Sequence, residues 1–479
     1  MAELHYLSAT DALGLMRARQ LSPVELLDAV VARTVQVGTA VNANTEQLLD
    51  HAYAAARESA DRYAGTDPRP RPLEGLPLAL KEEQAWAGHT LEEGSLLEKG
   101  HVADVTHPVV DRVLAAGAVV HARTTTPEFS CAPFTHSALW GVTRNPWNLD
   151  LSPGGSSGGS GAALAAGTTI LATGSDIGGS IRLPASLCGV VGFKPPFGRV
   201  PGLAPFNQDT YCADGPMGRT VADVALLQDV LAGPHPTDQA SLRPAYEVSP
   251  AAAAGGTGDA RGLRVALCLR LGDYPLDPAV EAGTLAAAEL LRAAGARVDE
   301  VELPWTREQL AATAWTHFGA IFGASVSELA GDQADLLMPY TRDFARRGAE
   351  HTGGASFVEG LVAEARTYAP LGTLLETYDV LLAPTIAAQG WSAGDDHLGE
   401  TVDVAGTSYH WSDVIMTLPF NVVGRVPVLA LPSGLAPNGV PTGVQVVGRT
   451  YDDATVFRVG AALEAARPRW SDPAWRPPL

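Results

Sequence analysis

A lysine and two segments rich in glycine and serine carry the side chains best suited to chemistry in this sequence. Lys81 follows a short apolar run, residues 154–161 read GGSSGGSG, and residues 174–185 read GSDIGGSIRLPA. A neutral lysine can take a proton from one serine, and that serine can relay the proton of a second serine that attacks a carbonyl carbon. Backbone N–H groups of a glycine-rich turn can stabilise the resulting oxyanion. These residues predict a hydrolytic site that uses no histidine.

The first glycine- and serine-rich segment has three other interpretations. A flexible linker is disfavoured because residues 154–161 lead directly into an alanine-rich helical segment of an apolar region. A phosphate-binding loop lacks both the Gly-Lys-Ser/Thr ending of a P-loop and a full GxGxxG spacing. A nucleophile elbow at Ser156 or Ser157, as in α/β-hydrolases, fits the GxSxG pattern but also needs an acidic residue and a histidine downstream. The elbow stays open as the weaker hypothesis of an enzyme.

The second segment makes a family resemblance specific. Residues 152–195, with Lys81 in the setting GLPLALK, resemble the amidase signature family. The resemblance extends to three further motifs, which are NPWN at 145–148, LPFN at 418–421 and GVQVVG at 443–448. It therefore covers most of the chain.

The resemblance implies a role for each side chain of the site. It implies a catalytic triad of Lys81 as base, Ser156 in a cis peptide bond as relay, and Ser180 as nucleophile. The implied oxyanion hole consists of Ile177, Gly178, Gly179 and Ser180, and the supporting residues are Ser157, Asp176 and Arg182. A structural ion pair and a direct catalytic role both stay open for Asp176 and Arg182. Because a lysine works as a base only while neutral, and burial favours the neutral form, we expect the Lys81 side chain to be buried.

Three aromatic residues are candidates for the substrate pocket. Trp315, Phe318 and Phe322 recur at helical spacing, a pattern that is more typical of a core. In an insertion beside the site they would form an apolar acyl or aryl wall, since ligand pockets are mostly apolar and aromatic. The pair Glu82-Glu83 departs from the family, which more often has an aspartate and then apolar residues, and we expect it to change the entrance of the site.

Alternating strand and helix patterns predict an α/β fold, and the resemblance implies the same. We expect one large, mixed, mostly parallel sheet covered by helices on both faces. Ser22-Pro23 predicts the start of a helix near the N-terminus. The expected segments are an N-terminal helical region (1–70), a catalytic core with the signature (71–242), a linker or long loop (243–262), and a second part of the α/β core (263–479) with a helical insertion near 306–360.

Composition and charge limit the partners of this chain. Of its 479 residues, 46% are hydrophobic, and the formal net charge of -20 disfavours nucleic acid as a direct partner. The N-terminus lacks a secretory pattern and no apolar run is long enough to span a bilayer, so we expect a cytoplasmic protein that is not bound to a membrane. Histidines and cysteines lack metal-ligand spacing, and we expect no metal and no cofactor. The sequence leaves a homodimer open.

The function expected from these observations is hydrolysis of a small-molecule carboxylic amide through a serine acyl-enzyme. The aromatic residues favour a bulky uncharged or aryl amide, and carbamates and esters stay open. The alternative is an A-type subunit of a glutamyl-tRNA amidotransferase, but the charge of -20 and the differing residues 206–211 count against it. A non-catalytic binding protein on this fold would be expected to lose Lys81 or one of the serines, and all three are present.

Overall fold

An 11-stranded mixed sheet runs through the computed structural model, which describes residues 3–65, 70–353, 356–466, 470 and 472–479. The strands are β1 Asn44–Gln47, β2 Pro77–Lys81, β3 Val119–Thr124, β4 His136–Ser137, β5 Gly141–Val142, β6 Leu171–Asp176, β7 Val191–Lys194, β8 Ala213–Gly218, β9 Arg264–Leu267, β10 Arg297–Glu300, β11 Val380–Pro384, β12 Glu400–Val404, β13 Thr407–His410, β14 Val428–Leu435 and β15 Pro441–Gly448. The α-helices are α1 Ala9–Arg17, α2 Pro23–Val41, α3 Leu49–Ala64, α4 Pro108–Ala115, α5 Gly158–Ala166, α6 Arg182–Cys188, α7 Val221–Leu231, α8 Ser249–Gly255, α9 Pro278–Ala293, α10 Arg307–Phe318, α11 Ala324–Ala330, α12 Pro339–Thr352, α13 Phe357–Thr377, α14 Pro419–Val422 and α15 Asp453–Ala466.

The strand order of the large sheet is β1-β3-β2-β6-β8-β7-β14-β15-β11-β9-β10, and its parallel pairs form two groups. One group is β3-β2-β6 and the other is β11-β9-β10, whereas the strands between them pair antiparallel. Parallel neighbours need a crossover connection, and α4 and α9 supply one in each group. The predicted α/β class is confirmed as a large mixed sheet.

Helices cover both faces of the sheet, as β11 illustrates. Val380 and Leu382 pack in one core cluster with residues of α9 and α15. Leu381, between them, belongs to a second cluster that includes Leu371 and Leu375 of α13. Because successive side chains of a strand point to opposite faces, this alternation means that neither face of β11 is left to solvent.

The described residues of the N-terminal segment include the helices α1, α2 and α3 and the edge strand β1. The helix start predicted at Ser22-Pro23 is confirmed, because Ser22 Oγ accepts a hydrogen bond from the Val24 amide and Glu25 accepts one from the Ser22 amide. Apolar residues of α1 and α2 share a core cluster with Leu78 and Leu80 of β2. These helices therefore cover the strand that ends at Lys81. The division of the chain into four segments stays a prediction.

Two helical stretches differ from the sequence expectation. The predicted linker contains α8, whose Ala252 is buried in the core cluster that includes α15, because the alanine run favours a helix over a coil. Helices also continue beyond the insertion predicted near 306–360, to the end of α13. Within the described ranges, no helix combines the length and the apolar character needed to cross a membrane.

Gly443 of β15 allows α6 to lie close to the sheet. A Cβ at Gly443 would lie 2.5 Å from Ser186 Cβ and 2.9 Å from Ser186 Cα. We expect Gly443→Ala to lower the free energy of unfolding by about 1–3 kcal/mol through overpacking, measured by urea denaturation. The matched control is Gly360→Ala on α13, where no atom lies within 4 Å of the added Cβ, and we expect it to stabilise by about 0.5–1 kcal/mol. Equal effects of the two substitutions would contradict the steric argument.

Candidate active site

Lys81 ends a strand that is buried at all of its residues. β3 and β6 flank β2 in the sheet, so its last side chain enters the interior and is 0% exposed. Lys81 Nζ lies 2.6 Å from Ser156 Oγ and 2.8 Å from Ser175 Oγ. Glu83 Oε1 lies 3.1 Å from the same nitrogen. The lysine therefore contacts the predicted relay serine, a second serine and a carboxylate.

Ser156 lies in a buried turn that leads into α5. The Gly155–Ser156 peptide bond is cis, and Ser156 is 1% exposed. A Cβ at Gly159 would lie 2.5 Å from the Thr125 amide nitrogen, so glycine is needed for α5 to approach the end of β3 this closely. Residues 152–166 are buried throughout, and the interpretation of the glycine- and serine-rich segment as a flexible linker is therefore excluded.

Ser180 lies in the turn between β6 and α6. Within the described part of the chain, its hydroxyl makes no hydrogen bond, to Ser156 or to any other residue. The Ser180 backbone oxygen accepts a hydrogen bond from the Ser157 amide at 3.1 Å. Ser157 Oγ donates a hydrogen bond to the Ser175 backbone oxygen at 3.3 Å. Ser157 thus connects the two signature segments. Catalytic hydrogen bonds often tighten only when substrate binds, so the unpaired hydroxyl is compatible with a nucleophile.

Three of the four amides predicted for the oxyanion hole are available. The N–H groups of Ile177, Gly178 and Ser180 make no hydrogen bond to any described residue. The Gly179 amide donates instead to Asp176 Oδ1 at 2.8 Å. Gly179 has φ +131°, a conformation that favours glycine. Gly179 therefore holds the shape of the turn, while its three neighbours leave free donors at the site.

Asp176 and Arg182 form a fully buried ion pair behind the turn. Arg182 Nη2 lies 2.9 Å from Asp176 Oδ1, and Arg182 Nε lies 2.9 Å from Oδ2. Burial raises the pKa of the Asp176 carboxyl, but the Arg182 guanidinium and the hydrogen bonds to this carboxyl outweigh burial, so the pKa is lowered. The charged carboxylate also accepts from the Ile181 amide at 3.2 Å. The pair therefore tethers both ends of the turn that carries Ser180.

Two distant motifs supply further side-chain partners of this ion pair. Asn421, from the LPFN motif, accepts from Arg182 Nη2 at 2.6 Å and donates to Asp176 Oδ1 at 2.8 Å. Gln445, from the GVQVVG motif, accepts from Arg182 Nη1 at 3.0 Å. Sequence analysis identified both motifs but gave these two side chains no role. Their contacts explain why residues beyond 420 matter for a turn near residue 180.

An apolar pocket of about 60 Å³ opens beside Ser180. Its aromatic and aliphatic lining includes Trp315, Phe318, Phe322, Phe344, Trp411 and Leu418. Trp315 and Phe318 are buried, and they also belong to the large core cluster of this region. The three aromatic residues singled out from the sequence thus lie at the boundary of core and pocket.

A larger cavity of about 360 Å³ lies next to the apolar pocket. Ser156, Ser175, Glu83 and Glu93 line it, and it shares Phe322 with the apolar pocket. Burial, and then the neighbouring carboxylates, raise the pKa of Glu93 to about 8. Of the acidic pair that departs from the family pattern, Glu83 lines the cavity.

Sequence reasoning missed Ser175 and the contact of Glu83 with Lys81. Ser175 is two residues after Thr173 in β6. Thr173 Oγ1 accepts a hydrogen bond from the Lys81 amide at 3.1 Å. The period of two along a strand could have placed Ser175 on the same side as Thr173. The Glu83 contact depends on how the chain turns after β2, and no local pattern predicts that turn. In the described residues, no group of three or more His, Cys, Asp or Glu side chains could hold a metal ion.

Comparisons with known proteins agree on one family. The model of the Amidase family matches residues 25–457. The chain is 34% identical to the A-type subunit of the glutamyl-tRNA(Gln) amidotransferase of Chloroflexus aggregans, over 97% of each protein, and 34% identical to an acylamidase of Rhodococcus erythropolis, over 98% of this chain and 97% of that one. The crystal structure of a bacterial aryl acylamidase of the amidase signature enzymes superposes with a TM-score of 0.88 at 27% identity, covering 98% of this chain and 97% of that one.

The buried ion pair leads to a prediction for stability. Asp176→Asn leaves the Arg182 charge buried without its counter-ion, and we expect a loss of about 3–5 kcal/mol in the free energy of unfolding, measured by urea denaturation at neutral pH. Because the folded-state pKa of Asp176 lies below the ordinary 3.8, the stabilisation is present above pH 3.8 and is lost as the pH falls through the folded-state pKa. Asp259→Asn, in an ion pair whose arginine is 81% exposed, is the control and should leave the unfolding midpoint unchanged.

Proposed function

Because the chain belongs to the amidase signature family, we propose that this amide hydrolase cleaves a bulky, uncharged aryl amide through an acyl-enzyme on Ser180. One observation carries the proposal. The buried Lys81 nitrogen lies 2.6 Å from Ser156 Oγ, Ser156 lines the larger cavity, and Ser180 lines the apolar pocket, which shares Phe322 with that cavity. This arrangement supports Lys81 as the base, Ser156 as the relay and Ser180 as the nucleophile.

The proposed reaction starts with neutral Lys81. Lys81 takes the Ser156 proton while Ser156 takes the Ser180 proton, and the Ser180 oxygen attacks the amide carbon. The relay then returns a proton to the nitrogen of the leaving amine, the C–N bond breaks, and the acyl group stays on Ser180 as an ester. A water molecule attacks this ester with the same relay as base. The carboxylic acid leaves and the Ser180 hydroxyl is restored.

The amides of Ile177, Gly178 and Ser180 would stabilise the oxyanion of each tetrahedral intermediate. Their N–H groups are free of other partners among the described residues, and the Asp176–Arg182 pair fixes the turn that carries them. Preorganised donors of this kind act most strongly in a site from which water is largely excluded. Gly179, whose amide is already bonded to Asp176, contributes conformation and not a hydrogen bond to substrate.

The two compartments suggest which part of the substrate occupies each. The leaving amine must receive its proton from the relay at Ser156, so it belongs in the cavity of about 360 Å³ that Ser156 lines. The acyl group then belongs in the apolar pocket of about 60 Å³ beside Ser180.

Phe129 and Phe206 line the larger cavity and offer faces for an aromatic amine. These sizes support an anilide-like substrate with a compact apolar acyl group. The names of an acylamidase and an aryl acylamidase among the related proteins agree with this class.

The relatives named as the A-type subunit of glutamyl-tRNA(Gln) amidotransferase favour a second candidate function. In that case the chain would work with partner subunits on an aminoacylated tRNA, although its net charge of -20 disfavours contact with a phosphate backbone. Turnover of an anilide by the purified chain alone would support the amidase. Co-purification with a second protein from the native cell extract, without turnover by the isolated chain, would support the amidotransferase.

We expect Ser180→Ala to abolish hydrolysis of 4-nitroanilides, with a fall in kcat of about 10⁴-fold or more, because no other group replaces the nucleophile. The rate is followed by the absorbance of the released aniline. A fluorophosphonate should modify Ser180 in the parent protein, as located by peptide mass mapping. Ser160→Ala serves as the control, because Ser160 Oγ bonds Thr124 and the Thr173 oxygen away from the cavities. An adduct on Ser156 or Ser157 would contradict this nucleophile and support the elbow hypothesis.

Phe318→Ala should change the acyl preference by enlarging the apolar pocket. We expect the ratio of kcat/KM for hexanoyl anilide to that for acetyl anilide to rise about tenfold, since lost wall atoms make room for a longer chain. Phe318→Leu should give an intermediate ratio. The control is Phe357→Ala on α13, whose side chain is 82% exposed, and it should leave the ratio unchanged. An equal change for both substrates would assign Phe318 to the core instead of the pocket.

A further inference from the structure

Glu83 turns back over the proposed catalytic base. Its Oε1 lies 3.1 Å from Lys81 Nζ, and its Oε2 accepts a hydrogen bond from Ser130 Oγ. The Lys81 side chain is 0% exposed and that of Glu83 is 19% exposed. The bond from Ser130 fixes the carboxyl group, so its contact with the lysine is a built feature of the site and not a chance encounter of two mobile side chains.

Two effects on the charge of Lys81 oppose each other at this place. Burial removes the ammonium from water and favours the neutral amine. A carboxylate in contact favours the ammonium, and an opposite charge within ~4–6 Å is enough to change a titration by about 1–3 pH units. The proposed mechanism needs the neutral amine. Glu83 therefore works against the active form of the base.

Other ionisable groups also lie near Lys81, but they are less suited than Glu83 to keep Lys81 protonated. Glu93, Asp214 and the Cys212 thiol interact with it electrostatically. Burial, and then the charges of Glu83 and Glu82, raise the pKa of Glu93 to about 8, and within the described ranges this carboxyl forms no ion pair with Lys81 Nζ. The Asp214 carboxylate bonds Gln84 at 2.7 Å and lies 3.4 Å from His107. Among the described residues, Glu83 is the carboxyl in direct contact with Lys81 Nζ.

We propose that Glu83 is a positioning residue that sets the pH range of the enzyme by holding a proton on Lys81 at rest. Activation then consists of the loss of that proton from Lys81 Nζ to water in the larger cavity, which Glu83 and Ser156 both line. The neutral amine so formed takes the Ser180 proton through Ser156. This inference rests on the proposed amidase function and adds a specific control of its base.

The experiment is the pH profile of kcat/KM for Glu83→Gln, compared with the parent protein on the same anilide. Glutamine keeps the size and the bond to Ser130 but removes the charge. We expect the acid limb of the profile to move to lower pH by about 1–3 units, so that kcat/KM on that limb rises about tenfold or more. On the alkaline plateau, kcat/KM of the variant should stay within about threefold of the parent value. An acid limb that stays in place, or that moves to higher pH, overturns the proposal.

A matched control and a second readout keep the test decisive. Glu98→Gln removes a carboxyl near Glu93 that pairs with His101 and does not contact Lys81, and it should leave the acid limb in place. Glu83→Ala, which lacks the amide group, should reproduce the displacement if glutamine disturbs folding. The pH dependence of fluorophosphonate labelling of Ser180 reports activation of the nucleophile without any amide substrate. Labelling that shows the displacement, without turnover of any amide, would support Glu83 while rejecting the proposed function.

Discussion

The buried ion pair of Asp176 and Arg182 is the interaction on which the rest of the active site depends. Placing two charges in an interior is unfavourable unless their geometry and their other hydrogen bonds compensate for lost hydration. Here the guanidinium donates two hydrogen bonds of 2.9 Å to the carboxylate. Asn421, Gln445 and backbone groups form further hydrogen bonds with the two side chains. The turn that bears Ser180 is therefore fixed from behind, which leaves its front free for a substrate.

A second constraint is the close packing of backbone around Ser156, the proposed relay serine. By its composition the first signature segment resembles a linker, yet a Cβ at Gly155, Gly158 or Gly159 would lie less than 3.0 Å from atoms of neighbouring residues. Glycine is present there because of what surrounds it, and not because the segment must move. The serines of the segment carry a small hydroxyl that fits a buried site and can both donate and accept hydrogen bonds.

Sequence predicted the parts of this site that local chemistry determines. The strand that ends at Lys81 was predicted from its apolar run, and the catalytic roles of Lys81 and of the serines stay predictions. An ion pair of Asp176 and Arg182 was one of two interpretations left open, and the structure shows this pair fully buried. The contact of Glu83 with Lys81 could not be predicted, because it depends on the path of the chain after β2. The strand order could not be predicted either, because the pairing of segments that are distant in sequence is not encoded in the local pattern of either segment.

The order in which these segments occur along the chain has a consequence for biosynthesis. A ribosome delivers Lys81, Ser156 and Ser180 long before Asn421 and Gln445 emerge. Until then Arg182 lacks the Asn421 and Gln445 acceptors, and the turn that carries Ser180 lacks its support from α14 and β15. The turn therefore reaches its final form only after these late segments are synthesised, and not when the proposed catalytic residues leave the ribosome.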